Sequence, residues 1–316
     1  MNQSRRRPKK GGTTLILGGG GARGYAHLGV LQVLEQAGVQ IDRIVGVSIG
    51  AFIGALYCES PDAQAITTRV HTYIHDDKFR RYYNRMLKAS QGAGHSMDEN
   101  DSGLTESARA WGRIVGRVRS YLRATVAFHR FVSRPGILSN RPMEDCLESV
   151  MQNCLIEDLL LPLTVVAADL KSGQRVDLDE GQLFSAIIGS TALPGIFPPV
   201  PREGDLLSDY GVLCSIPMES AAKHDPDLVI AVDLSPPLDV KEEFESGLDV
   251  INRMDSISCQ LLNGRAAAQA DLVIRPQIDG VSWADFMDMD KIVEQGRNSA
   301  LAILPELHSL RMGIRK

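Results

Sequence analysis

Three short stretches carry residue types and spacings that can do chemistry together. The first is Gly46-Val47-Ser48-Ile49-Gly50. Ile44, Val45 and Val47 are β-branched and read as a buried strand, and the small and apolar residues from Ile49 onward read as a buried helix. Ser48 stands at the junction, in the G-x-S-x-G pattern of a strained turn that lifts a hydroxyl clear of a sheet. Side chains at positions 46 and 50 would collide across such a turn, which explains the two glycines. The helix directs its positive end at the hydroxyl and favours a developing anion there. Ser48 is thus a candidate nucleophile, and the alternative is an ordinary strand-to-helix turn.

The second stretch is Gly18-Gly19-Gly20-Gly21-Ala22-Arg23-Gly24, which contains G-x-G-x-x-G from Gly19 through Gly21 to Gly24. A dinucleotide site would need an acidic residue near the end of the next strand to hold the ribose. That strand ends in Gly46-Val47-Ser48 and offers none. The competing reading is an oxyanion hole, in which amides of Gly19, Gly20, Gly21, Ala22, Arg23 and Gly24 at the start of a helix hold a negative oxygen. Arg23 is expected to support the loop rather than take part in chemistry. The third stretch, Asp209-Tyr210-Gly211, is either a plain turn former or the site of a base for Ser48. His27, one turn into the first helix, reads as a structural histidine under the glycine loop. His224 and His308 follow Asp209, as a Ser-Asp-His chain order would require, but one precedes a turn and the other lies in the last helix.

These stretches need a scaffold that holds their loops together. The pattern predicts a strand over 13–17, a helix over 25–37 with Leu28, Leu31 and Leu34 on one face and Gly38 as its cap, and the strand leading to Ser48. That is a β-α-β unit, and it implies a parallel sheet. Further helices are predicted over 61–74, 142–151, 183–188 and 291–310, and further strands over 163–168, 175–178, 228–232 and 271–275. The run from Ser190 to Val200 holds three prolines, which forbid a helix or a central strand. It reads as a rigid apolar wall for an acyl chain, or as a core-packed loop. Residues 76–136 break the α/β pattern and read as an insertion. The organisation expected is a basic tail over 1–11, one domain over 12–310, and a short tail over 311–316.

Bulk properties narrow the function classes. A net charge of -5 argues against nucleic acid as the main partner. The five cysteines are scattered, lack metal-ligand spacing, and suit buried thiols in a reducing compartment. No metal and no cofactor is expected. No apolar run is long enough to span a bilayer. The basic start, Arg5-Arg6-Arg7-Pro8-Lys9-Lys10, is followed by a strand and a glycine run rather than an apolar core, so a signal peptide is not expected.

With these residues in hand, the chain resembles the patatin-like phospholipase family, nearest its bacterial members related to the neuropathy-target-esterase lysophospholipases. The likeness runs over 14–307 and is weakest across 76–134. It rests on the glycine loop, the elbow and Asp209-Tyr210-Gly211, in that order, with the run from Ala192 to Pro199 as a further family-like feature. The resemblance implies a three-layer α/β/α fold with a mainly parallel central sheet and a helical insertion. It implies a serine–aspartate dyad that hydrolyses lipid acyl esters without a metal, with a phospholipid or lysophospholipid as substrate. Carried over, Ser48 is the nucleophile, Asp209 the base, and the glycine-loop amides the oxyanion hole. The family's third motif reads Asp-Gly-Gly or Asp-Gly-Ala, and here Tyr210 stands at its middle position.

Two other classes stand beside this one: a Ser-His-Asp esterase sharing the elbow, and a catalytically silent lipid-binding protein on the same fold. Drawn as a helix, residues 111–130 place Trp111, Ile114, Val115, Val118, Leu122 and Val126 on one side and Arg113, Arg117, Arg119, Arg123 and Arg130 on the other. That pattern suits peripheral contact with an anionic membrane. A cytoplasmic location, at the inner membrane face, is the corresponding expectation.

Overall fold

The computed structural model describes residues 11–90, 135–278 and 280–314. Its centre is an eight-stranded sheet: β1 (Thr13–Leu17), β2 (Arg43–Val47), β3 (Leu163–Asp169), β4 (Gln174–Leu178), β5 (Val200–Arg202), β6 (Asp205–Ser208), β7 (Leu228–Val232) and β8 (Leu272–Ile274). The order is β5-β6-β3-β2-β1-β7-β8, with β4 also paired to β3. The run β3-β2-β1-β7-β8 is parallel, and β4, β5 and β6 join antiparallel.

Both faces of the sheet are covered. Leu15 and Leu17 of β1 point into one core with Ile44, and Ile16, one residue out of phase, points into the other with Val45 and Val47. The first core is closed by α1 (Ala26–Gln36), α2 (Ile49–Glu59), α3 (Ala63–Ile74), α5 (Arg141–Val150), α6 (Leu183–Ser190) and α9 (Met289–Ile314). The second is closed by α7 (Met218–Ala222) and the end of α8 (Gly247–Ala267). Strands buried on both faces read as near-continuous apolar runs, as β2 and β7 do. α1 and α9 approach backbone to backbone. A Cβ at Gly29 would strike the Val293 carbonyl, and one at Gly296 would strike the Ala26 carbonyl.

Several boundaries differ from the sequence expectation. Gly11 already donates to the Asp225 carbonyl at 2.9 Å, so pairing starts inside the expected tail. The closing helix runs on to Ile314 and carries Pro305 within it, so the expected tail at 311 is helical as far as 314. The start of the expected insertion forms a helix, α4 (Asp77–Ser90). The long helix α8 was not foreseen at all. The amphipathic pattern over 111–130 and the basic tail over 1–10 lie outside the described residues. Among the described residues, no helix is long and apolar enough to cross a membrane.

Candidate active site

The position of Ser48 follows from strand register. β2 runs beside β3 from Ile44 opposite Leu163 to Val47 opposite Val166, and the chain then leaves the sheet. β4 occupies the other edge of β3 from Val165 to Asp169. β6 therefore pairs on the edge that β2 has vacated, antiparallel, with Leu207 opposite Asp169 and Ser208 opposite Ala168. Two strands thus travel toward each other along one edge and stop either side of Ala167. The residue after β2 is Ser48 and the residue after β6 is Asp209, so the two meet. Ser48 Oγ donates to Asp209 Oδ2 at 2.6 Å.

The elbow has the strain its motif implies. Ser48 has φ 56° and ψ -126°, a left-handed backbone that costs a non-glycine residue about 1–3 kcal/mol. A Cβ at Gly46 would lie 2.6 Å from Ala51 Cα, and one at Gly50 would lie 2.5 Å from the Leu17 carbonyl carbon, so neither position admits a side chain. The strained turn is braced by α6. Ser190, fully buried, accepts the Ser48 amide at 2.8 Å on its Oγ and donates from that oxygen to the Val166 carbonyl at 2.6 Å. Ala192, two residues on, accepts the Asp209 amide at 3.0 Å and the Ser208 hydroxyl at 2.8 Å. The run from Ser190 is thus a half-buried brace beneath both candidate catalytic residues. Sequence reading missed this role because a lone serine before a proline-rich loop gives no hint of its partners.

Asp209 is buried, and burial pushes its carboxyl up to about 6, against the opposing pull of hydrogen bonds from Ser48 and the Gly211 amide. The Gly211 amide reaches Asp209 Oδ1 at 2.7 Å. Tyr210 has ordinary negative φ and begins a short 3-10 helix through Val212, so the glycine usual at this place is not needed for backbone reasons. Its phenol is half-buried, and burial raises its pKa against the opposing pull of the Arg175 guanidinium.

The glycine loop lies against the serine. A Cβ at Gly19 would lie 3.5 Å from Ser48 Cβ. The amides of Gly19 and Gly20 have no hydrogen-bond partner among the described residues. The Ala22 amide, expected in the cradle, instead donates to the Trp283 carbonyl at 2.7 Å and is not available to an oxyanion. Gly21 has φ 59°, and Trp283 packs where its side chain would be. Gly24 is the point where Ile49 packs against the loop. Arg23 Nε donates to the Gly20 carbonyl at 3.2 Å and so ties the loop to itself. His27 is fully buried, its Nε2 2.8 Å from the Gly18 carbonyl, and burial lowers its pKa to about 4. The ring is therefore neutral, and Nε2 is the protonated nitrogen that donates, leaving Nδ1 without a partner. Among the described residues no histidine hydrogen-bonds Ser48 or Asp209. His224 lies by Thr164 Oγ1, at 3.3 Å, and His308 lies in α9.

Comparisons with known proteins place the chain in a family. The family model of patatin-like phospholipases matches residues 15–222. An NTE family protein of Mycobacterium tuberculosis is 31% identical over 215 residues, which are 68% of this chain and 47% of that protein. Patatin-like phospholipase domain-containing protein 6 of Homo sapiens is 28% identical over 313 residues, covering 90% of this chain and 19% of its own length. The crystal structure of VipD from Legionella pneumophila is 16% identical, with a TM-score of 0.44, and covers 93% of this chain and 67% of that one. The chain thus spans about half the length of the mycobacterial relative and a fifth of the human one. The matched span holds the glycine loop, the elbow with its brace, and Asp209 with Gly211, and over that span this chain belongs to the patatin-like phospholipase family.

Proposed function

We propose that the chain is a serine lipid acyl hydrolase that cleaves carboxylic esters of phospholipids or lysophospholipids. The observation that carries this reading is the 2.6 Å contact between Ser48 Oγ and a buried Asp209 whose pKa has risen to about 6. A carboxylate of ordinary acidity is a weak base near neutrality, and raising its pKa brings it closer to the working pH. Ser48 Oγ attacks the ester carbonyl carbon while its proton passes to Asp209 Oδ2. The carbonyl oxygen becomes an oxyanion and is held by the amides of Gly19, Gly20 and Gly21. Collapse breaks the ester C–O bond, and Asp209 returns the proton to the departing alcohol. The acyl-serine is then cleaved by water, which gives a proton to Asp209 as it attacks, and Ser48 recovers its proton as the fatty acid leaves.

The reading takes residues 12–310 as a single catalytic domain, working in the cytoplasm at the inner membrane face. The five cysteines, all unpaired, suit that compartment. The deciding experiment is a hydrolysis panel of lysophospholipid, diacyl phospholipid and a short soluble ester, with Ser48→Ala as blank, beside labelling by a serine-directed organophosphonate. Hydrolysis and labelling, both lost in Ser48→Ala, are expected. Labelling without turnover on any ester, or neither, would leave a silent binding protein. Loss of turnover in His224→Gln or His308→Gln equal to that in Ser48→Ala would mark a triad.

A further inference from the structure

Helix α8 is amphipathic the wrong way round. Val250, Ile251, Met254, Leu261 and Leu262 are each between 42% and 60% exposed. At 3.6 residues per turn these five fall within about 120° of one another. The inward side is made instead by Cys259, Asn263, Ala266 and Ala267. Asn263 is 2% exposed and fixes the roll of the helix. Its Oδ1 accepts the Ser215 amide at 2.7 Å and its Nδ2 donates to Ser235 Oγ at 2.7 Å. Rolling the helix to bury the stripe would leave these buried groups unpaired, so the apolar side is held outward.

The inward side of α8 packs beside the candidate site. Cys259 Sγ lies 3.7 Å from the carbonyl of Gly211, whose amide binds Asp209. Val212 and Leu213, which follow Gly211 directly, are 38% and 50% exposed. Exposed apolar surface beside a candidate site marks a docking face. Within the arc the other exposed residues are Gly247, Ser258 and Arg265, so it holds one cation and no acid, and the exposed Asp255 lies at its edge. Such a surface repels neither acyl chains nor lipid phosphates.

We propose that this face of α8, with Val212 and Leu213, seats on the surface of a phospholipid bilayer and sets the Ser48 cleft against it. The proposal rests on the acyl-hydrolase reading, because an ester buried in a bilayer must be lifted from it into the site. The occupant is a lipid surface rather than a second copy of the chain, because the helix that carries the stripe touches Gly211, whose amide binds Asp209. That helix is separate in sequence from the arginine-rich stretch over 111–130, which the α8 variants leave unchanged.

Sedimentation of the full chain with sucrose-loaded phosphatidylcholine vesicles is the test. Ile251→Ser/Met254→Ser/Leu261→Ser should lower vesicle partitioning about tenfold or more, since each side chain loses apolar area in the interface. Hydrolysis of vesicle lipid should fall with it, while turnover of a short soluble ester stays as in the wild type and reports an intact fold. Ser258→Leu, which fills the polar place in the arc, should raise partitioning about threefold. Unchanged partitioning in both variants would overturn the proposal. So would a wild-type dimer by light scattering that the triple variant turns into a monomer with vesicle binding intact, since the occupant would then be a second copy. Ser48→Ala should bind vesicles as the wild type does. A wild type that binds through α8 yet hydrolyses no ester would overturn the acyl-hydrolase reading and leave the docking face standing.

Discussion

Asp209→Asn should abolish activity and make the protein more stable at neutral pH. The folded chain holds the Asp209 proton with a pKa of about 6, against 3.8 for the ordinary carboxyl. A carboxyl raised in this way contributes stability that is fully present below the unfolded value and is lost as pH rises through the folded one. The whole difference is on the order of 3 kcal/mol at about 1.4 kcal/mol per pH unit. Of this, about 2 kcal/mol falls between roughly pH 4.5 and pH 7.5. Asparagine keeps the geometry: its Oδ1 can accept the Gly211 amide, and its Nδ2 can donate to Ser48 Oγ. It also mimics the neutral form at every pH. Urea unfolding of both proteins at the two pH values reads the effect directly. The advantage of the D209N protein over the wild type should grow by about 2 kcal/mol from the lower pH to the higher, while its esterase activity matches the Ser48→Ala blank. A stability difference that does not change with pH would refute the claim that Asp209 is a destabilised, buried base.

Three further outcomes follow from the same geometry. The kcat/KM of the wild type should fall tenfold per pH unit below about 6, because the free enzyme must hold Asp209 ionised; a profile flat down to pH 5 would count against the base assignment. His27→Leu removes the donor on the Gly18 carbonyl and should lower kcat about tenfold with little change in KM, whereas His27→Gln, which can still donate, should retain most of the activity. Ser190→Ala leaves the Ser48 amide without its acceptor and should destabilise the fold by about 1–3 kcal/mol in urea unfolding, and turnover of a soluble ester should fall as well.

The motifs were legible because each is local and stereochemically demanding. Gly46 and Gly50 must be glycine for reasons contained in a few residues, and the β-α-β unit that joins the two loops is continuous in sequence. The residues alone left Asp209 as either a turn former or a base for Ser48, and family likeness chose between the two. The physical cause of their meeting is that β6 takes the edge of β3 that β2 leaves, a long-range register no local pattern encodes. The same holds for Ser190 and for the Trp283 carbonyl that removes Ala22 from the cradle. Helix α8 was illegible for a different reason. Its apolar stripe faces outward and its polar Asn263 faces inward, which inverts the pattern by which buried helices are recognised.

The hydrogen bonds around Ser48 decide where a developing negative charge can go. The Ser48 amide would be a natural candidate at the start of α2, yet Ser190 already accepts it. The Ser48 carbonyl takes the amides of Ala51 and Phe52 at 3.0 and 3.2 Å, and its hydroxyl is given to Asp209. On the facing loop, the Gly18 amide is held by the Val232 carbonyl and the Ala22 amide by the Trp283 carbonyl. Between these two anchored points lie the amides of Gly19, Gly20 and Gly21, none paired among the described residues. An unpaired donor in a closed site is unfavourable until an acceptor arrives, and it then acts without reorganisation. The Gly18 carbonyl and the Gly19 amide belong to one peptide unit, so the His27 bond to that carbonyl both fixes the direction of the Gly19 N–H and strengthens it as a donor. In the proposed reaction the neutral, buried His27 therefore acts through the backbone. It leaves the proton transfers to Asp209 and the oxyanion to three glycines whose amides have no partner among the described residues.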